Sequence, residues 1–151
     1  MLVRIDNRLV HGQIIEAWVP HIQAKAIWVV NEDLARDEIR QEIMSLAIPH
    51  GVAIRFTLPS ALAEEFKQEG FRDILVLFAS CHDARDAFER GFKFSSINIA
   101  NLHYSPGKTQ ICDHVAVSDE DVSCLSFFSR RGVDLDFRCV PNKPVQVRSI
   151  W

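Results

Sequence analysis

The chain has 151 residues, enough for one domain with its own core, since single cores run to about 100–200 residues. Against 20 Asp and Glu stand 17 Lys and Arg, a formal charge of −3, which argues against a partner of nucleic acid or an anionic membrane because such binders carry a basic excess. The apolar run 74–79 falls far short of the about 20 residues a spanning helix needs, and Arg4 interrupts the start before any secretory hydrophobic region forms, so the expected chain spans no membrane and stays cytoplasmic.

In chain order, a short β-rich run at 2–5 is followed by Asp6-Asn7-Arg8-Leu9-Val10-His11-Gly12-Gln13. Ile14, Ile15, Trp18, Val19 and Ile22 then give an amphipathic helical stripe, which Pro20 should end or kink near Val19. Further β-rich runs lie at 26–30, 52–56, 74–78, 96–99 and 115–117. Between them, Ile39, Ile43 and Leu46 repeat at i, i+4, i+7, and Leu62 with Phe66, Ala84 with Phe88, and Val122 with Leu125 mark shorter helices. Gly70, Gly91 and Gly132 read as helix stops, and Ser118 with Asp121 as a capping box. Val133, Leu135, Phe137 and Cys139 alternate with charged residues, the mark of a strand wet on one face.

Strand and helix in alternation call for an α/β fold: a three-layer open, mostly parallel sheet with helices on both faces, here with an antiparallel C-terminal edge strand. Pro141 and Pro144 keep the tail from continuing as an interior strand. No repeat or linker divides the chain, so residues 1–151 are expected to be one domain. Cys81, Cys112, Cys124 and Cys139 form no C-x-x-C pair and read as small core residues. Trp18, Trp28 and Trp151 read as core or interface aromatics.

In open α/β sheets ligands bind beyond the carboxyl ends of the strands, so the loops there are the place to look for chemistry. The loop after the first strand holds a histidine just before a helix whose first N–H groups attract phosphate. There Gly12 would let the backbone approach an anion, Arg8 would neutralise phosphoryl oxygens in a fork, and Asp6 would hold one imidazole N–H and thereby choose the nitrogen free to attack. Histidine is a nucleophile suited to reversible phosphoryl transfer. The other histidines lack metal-ligand spacing, and neither G-x-x-x-x-G-K-[ST] nor G-x-G-x-x-G is present, which places a passive nucleotide-binding module last.

The string Arg4-Ile5-Asp6-Asn7-Arg8-Leu9-Val10-His11-Gly12-Gln13 closely resembles the active-site signature of the IIB component of the mannose/fructose/sorbose family of the bacterial sugar phosphotransferase system. Later segments resemble that family in order, among them Ile27-Trp28-Val29-Val30-Asn31-Glu32, Ile97-Asn98-Ile99 and Gly107-Lys108-Thr109-Gln110. The resemblance implies a phosphocarrier. It would accept a phosphoryl group from a IIA partner on Nδ1 of His11 and pass it to a sugar held by membrane IIC and IID components, without metal or organic cofactor. By the same analogy Arg8, Gly12 and Gln13 lie around the phosphoryl group, Asp6 supports the histidine and Arg4 adds positive potential. Ser80, after the fourth strand, is a candidate further donor. One departure stands out: Ala100-Asn101 occupies a place where relatives usually carry two glycines. Alanine fits a left-handed backbone poorly, which keeps open a second reading, a regulatory or orphan relative phosphorylated on the same histidine without a dedicated sugar. Monomer and homo-oligomer are equally open.

Overall fold

The computed structural model describes residues 1–151. Its strands are β1 (Leu2–Ile5), β2 (Ala26–Val30), β3 (Ala53–Thr57), β4 (Ile74–Phe78), β5 (Ser96–Ile99), β6 (Thr109–Cys112), β7 (Val115–Val117) and β8 (Asp134–Asp136). Six of them form one sheet in the order β3-β2-β4-β1-β5-β8, with every neighbouring pair parallel. Helices α1 (Val19–Ile22), α2 (Glu32–Ala35), α3 (Glu38–Ser45), α4 (Leu62–Glu65), α5 (Cys81–Glu89) and α6 (Asp119–Ser129) make the crossovers.

Because side chains alternate across a strand, each buried strand feeds two cores. Ile74, Val76 and Phe78 of β4 join Ala26, Trp28 and Val30 of β2 in one apolar cluster beneath α4, α5 and α6. Leu75, Leu77, Ile27 and Val29 point the other way, into a smaller cluster with Ile14, Trp18, Val19 and Leu34. Helices on both faces give the expected three layers. The larger core is aromatic: Phe88 meets Phe94 at 5.0 Å and Phe128 at 5.5 Å between ring centres, both edge-on.

The edge strand corrects the expected antiparallel direction. β8 does lie at the sheet edge, but it runs parallel to β5, with Ile97 opposite Leu135. Alternation between apolar and charged residues reports a half-wet strand and carries no information on its direction. Direction follows from α6, which returns the chain to the starting end of the sheet. The run at 115–117 also stands outside the main sheet. It pairs antiparallel with β6, a half-exposed strand whose Thr-Gln-Ile-Cys sequence gave little signal.

Pro20 does not end the first helix, whose register changes at Val19. Residues Ile14–Trp18 form a π-helical turn, in which Val19 N–H donates to Ile14 O, and α1 follows with Pro20 near its start. The wider register absorbs the missing donor. At the far end, α5 and α6 are followed by left-handed glycines, Gly91 (φ 109°) and Gly132 (φ 74°), and the Ser118–Asp121 capping box opens α6. Helix α3 forms where its periodicity predicts, yet Ile39, Ile43 and Leu46 are 64–87% exposed. Periodicity locates a stripe but cannot say whether a surface covers it. Here α3 packs against α2, and Met44 and Ile48 turn inward instead.

Truncating Phe128→Ala in the aromatic core should cost about 3–5 kcal/mol in urea unfolding. By contrast, Leu46→Ser should change stability by less than about 0.5 kcal/mol, as expected for a solvent-facing position.

Candidate active site

Parallel pairing puts the carboxyl ends of β1 and β5 side by side, with Arg4 opposite Asn98 and Ile5 opposite Ile99. The chain leaving β1 enters the helix on one face of the sheet, whereas the chain leaving β5 proceeds to α6 on the other. Divergent exits from neighbouring strand ends mark the crevice position, the place where this class of sheet holds ligands. Asp6 and His11 stand on one side of it and Asn101 on the other.

Asp6 organises the crevice. Its backbone carbonyl accepts Leu9 N–H at 2.9 Å and its Oδ1 accepts Arg8 N–H at 3.0 Å, a side-chain-stabilised turn in which Leu9 takes a left-handed φ of 55°. Oδ2 accepts from three further residues: Arg4 through both Nε at 3.1 Å and Nη2 at 2.9 Å, His11 Nε2 at 2.8 Å and Asn101 Nδ2 at 2.8 Å. Burial alone would raise the Asp6 carboxyl. Hydrogen bonding from His11, the charge of Arg4 and the Asn101 amide outweigh it and hold the carboxyl below its ordinary value. An ionised carboxylate only accepts, so the ring hydrogen of His11 sits on Nε2.

The other ring nitrogen is then the one with a lone pair. Nδ1 of His11 is the sole buried side-chain nitrogen or oxygen without a hydrogen-bond partner. Buried polar atoms are paired as a rule, and an exception calls for an explanation. Backbone geometry beside it supplies one. The first helical bonds run from Ile14 and Ile15 N–H to His11 O, so the preceding N–H groups of Gly12 and Gln13 point out of the helix start. A Cβ placed on Gly12 would meet nothing within 4 Å, so the space beside these donors is open. Lone pair, free amides and helix dipole together can receive a tetrahedral anion.

Arg4 and Gln13 serve this cluster from behind. Arg4 is fully buried, where burial lowers its basicity against the pull of Asp6, and its guanidinium lies 5.3 Å from the Trp18 ring. Besides Asp6 it donates to Asn98 Oδ1 and to Gln13 Oε1. Gln13 in turn donates to Cys139 Sγ at 3.0 Å, and Trp18 Nε1 donates to Cys139 O at 2.9 Å, which pins the segment after β8 to the first helix.

Of the residues that the sequence singles out, Arg4, Asp6, His11 and Gln13 come into direct contact, and Gly12 adjoins them. Arg8 gives its backbone N–H to Asp6 while its guanidinium is exposed and unpaired. Ser80 Oγ accepts Asp83 N–H at 3.1 Å as the cap of α5 and makes no hydrogen bond to the cluster. Sequence reasoning gave no site role to Asn98, Asn101, Trp18 or Cys139, although it singled out Ala100-Asn101 as a departure from the family. A polar residue inside the apolar run 96–99 was a signal for Asn98; Cys139 carried none. Ala100 escapes the strain expected of it, since only Asn101 of the pair has a positive φ, 52°.

Residues 1–148 match the family described as the PTS system sorbose subfamily IIB component. N-acetylgalactosamine-specific phosphotransferase enzyme IIB component 1 of Escherichia coli (strain K12) is 36% identical over 143 residues, covering 93% of this chain and 90% of that protein. The mannose-specific EIIAB component of the same strain is 30% identical over 146 residues, 95% of this chain and 45% of its own length. A crystal structure of the E. coli N-acetylgalactosamine-specific IIB component 1 superposes with a TM-score of 0.89 at 33% identity, covering 96% of each chain.

Removing the Asp6 charge strands a buried guanidinium, so Asp6→Asn should cost about 3–5 kcal/mol near neutral pH. Because the folded carboxyl titrates below its unfolded value, that stability is complete above about pH 4 and lost as pH falls through the lower, folded value. Denaturant unfolding of both proteins from pH 7 to 2 should show the gap closing only on that acid limb.

Proposed function

The chain belongs to the sorbose subfamily of IIB components of the sugar phosphotransferase system, and from that membership we propose that His11 is its phosphoryl carrier. A phosphorylated IIA partner gives its phosphoryl group to Nδ1, and the chain passes it to a sugar held by membrane IIC and IID components. The observation that carries this reading is the imidazole whose Nε2–H is committed to Asp6 while the buried Nδ1 has no partner.

The step follows from those contacts. The Nδ1 lone pair attacks phosphorus in line with the donor's P–N bond, which breaks as the new one forms, returning the electron pair to the donor histidine. Forming Nδ1–P while keeping the hydrogen on Nε2 places positive charge on the ring, and the Asp6 carboxylate 2.8 Å away offsets it. Gly12 and Gln13 N–H groups and the exposed Arg8 guanidinium neutralise phosphoryl oxygens, positioning and charge neutralisation being the main needs of phosphoryl transfer. Since Nδ1 is covered in the resting protein, the ring or its loop must shift when the donor docks.

Two further facts support the partners. A relative named as a mannose-specific EIIAB component matches this chain over 45% of its own length, which supports a IIA partner, and no helix here is long and apolar enough to cross a membrane. A cytoplasmic site of action follows from this reading. The regulatory alternative rested on the Ala100-Asn101 loop; Asn101 reaching Asp6 ties that loop into the site and favours transfer.

Incubation with phosphorylated IIA should label the chain with an acid-labile, base-stable phosphate, and His11→Ala should take none. Label retained in that variant would refute the assignment. Arg8→Ala should slow the transfer by about 10²–10³, the loss expected for one charge-stabilising donor.

A further inference from the structure

Resting on the phosphocarrier reading, we infer that Asn101 is a positioning residue of the site, its side-chain amide holding Asp6 against the Nε2–H of His11 and so keeping the lone pair on Nδ1. Asn101 lies in the loop after β5 with a φ of 52°, a left-handed backbone that asparagine enters more readily than other residues bearing a Cβ. It is 8% exposed, and Nδ2 donates to Asp6 Oδ2 at 2.8 Å and to Gln13 Oε1 at 3.1 Å. Both amide hydrogens are therefore committed. The amide orientation is settled as well, because an ionised carboxylate accepts and never donates.

The place of Asn101 matters as much as its distance. Arg4 approaches Oδ2 from β1, just before Asp6, and Arg8 N–H approaches Oδ1 from the turn that follows. Asn101 is the donor that reaches the carboxylate from the opposite side of the crevice. With it gone, Oδ2 keeps the two Arg4 N–H groups and His11 and Oδ1 keeps Arg8 N–H, the carboxylate loses its restraint from the β5 side, and the Nε2–H tautomer loses part of its advantage over Nδ1–H. A ring carrying its hydrogen on Nδ1 cannot attack phosphorus from that nitrogen.

Two variants separate the amide from the backbone. Asn101→Gly takes the left-handed conformation freely and deletes the amide, whereas Asn101→Asp keeps the shape and turns the donor into an acceptor facing Asp6. Nitrogen NMR of the unphosphorylated, ¹⁵N-histidine-labelled chain should show Nε2–H on His11 in the parent, a raised Nδ1–H population in Asn101→Gly and a larger rise in Asn101→Asp. With phosphorylated IIA as donor, kcat should fall about tenfold in Asn101→Gly and further in Asn101→Asp, with KM unchanged, as for loss of one hydrogen bond to a charged group. A parent-like tautomer and kcat in Asn101→Gly would overturn the inference; if that variant does not fold, a parent-like tautomer in Asn101→Asp does so. The tautomer measurement needs no phosphoryl donor, so a parent chain that IIA never labels ends the phosphocarrier reading while the role of Asn101 is still decided.

Discussion

One buried carboxylate sets the terms for everything at the sheet edge. Asp6 is fully buried beside a fully buried Arg4, an arrangement whose desolvation is tolerable only when geometry and hydrogen bonding are nearly complete. Its two oxygens accept from Arg4, Arg8 N–H, His11 and Asn101, so a strand, a turn, a helix start and a distant loop converge on one group. Such a charge contributes little net stability over an apolar pair of the same volume. What it does contribute is a fixed imidazole, with one nitrogen engaged and the other free.

The topology explains why this convergence is possible. Strands β1 and β5 are neighbours in the sheet although more than 90 residues separate Asp6 from Asn101 in sequence, and Ala100 N–H donating to Ile5 O locks their ends in register. Segments leaving those ends part to opposite faces, and the Asn101–Asp6 hydrogen bond bridges the gap between them. The residues following β8 then reach back beneath it. Cys139 accepts from Gln13 and Trp18, and Asn98 donates to Arg138 O, so the last strand buttresses the first helix instead of merely ending the sheet.

Much of this was legible from residue order. All-apolar runs at 26–30 and 74–78 needed cover on both faces and received it. The capping box at Ser118 and the glycine stops at 91 and 132 marked helix ends that the fold respects. The direction of β8, the pairing of 115–117 with a half-exposed strand and the outward face of α3 were not legible, because each depends on which neighbour is present and a local pattern names no neighbour.

The same division holds at the site. Sequence by itself determined the alternating fold and its two-sided core, and the ten residues from Arg4 to Gln13 placed a histidine, its carboxylate and a helix start within one turn of chain. Those relations are local, written in spacing and side-chain chemistry. Tertiary structure alone decided that Arg4 and Gln13 meet behind Asp6, that Ser80 caps α5, and that Asn101 reaches Asp6 and Cys139 reaches Gln13. Hydrogen bonds act over about 3 Å, and only the crossovers of the sheet bring residues so far apart in the chain within that reach.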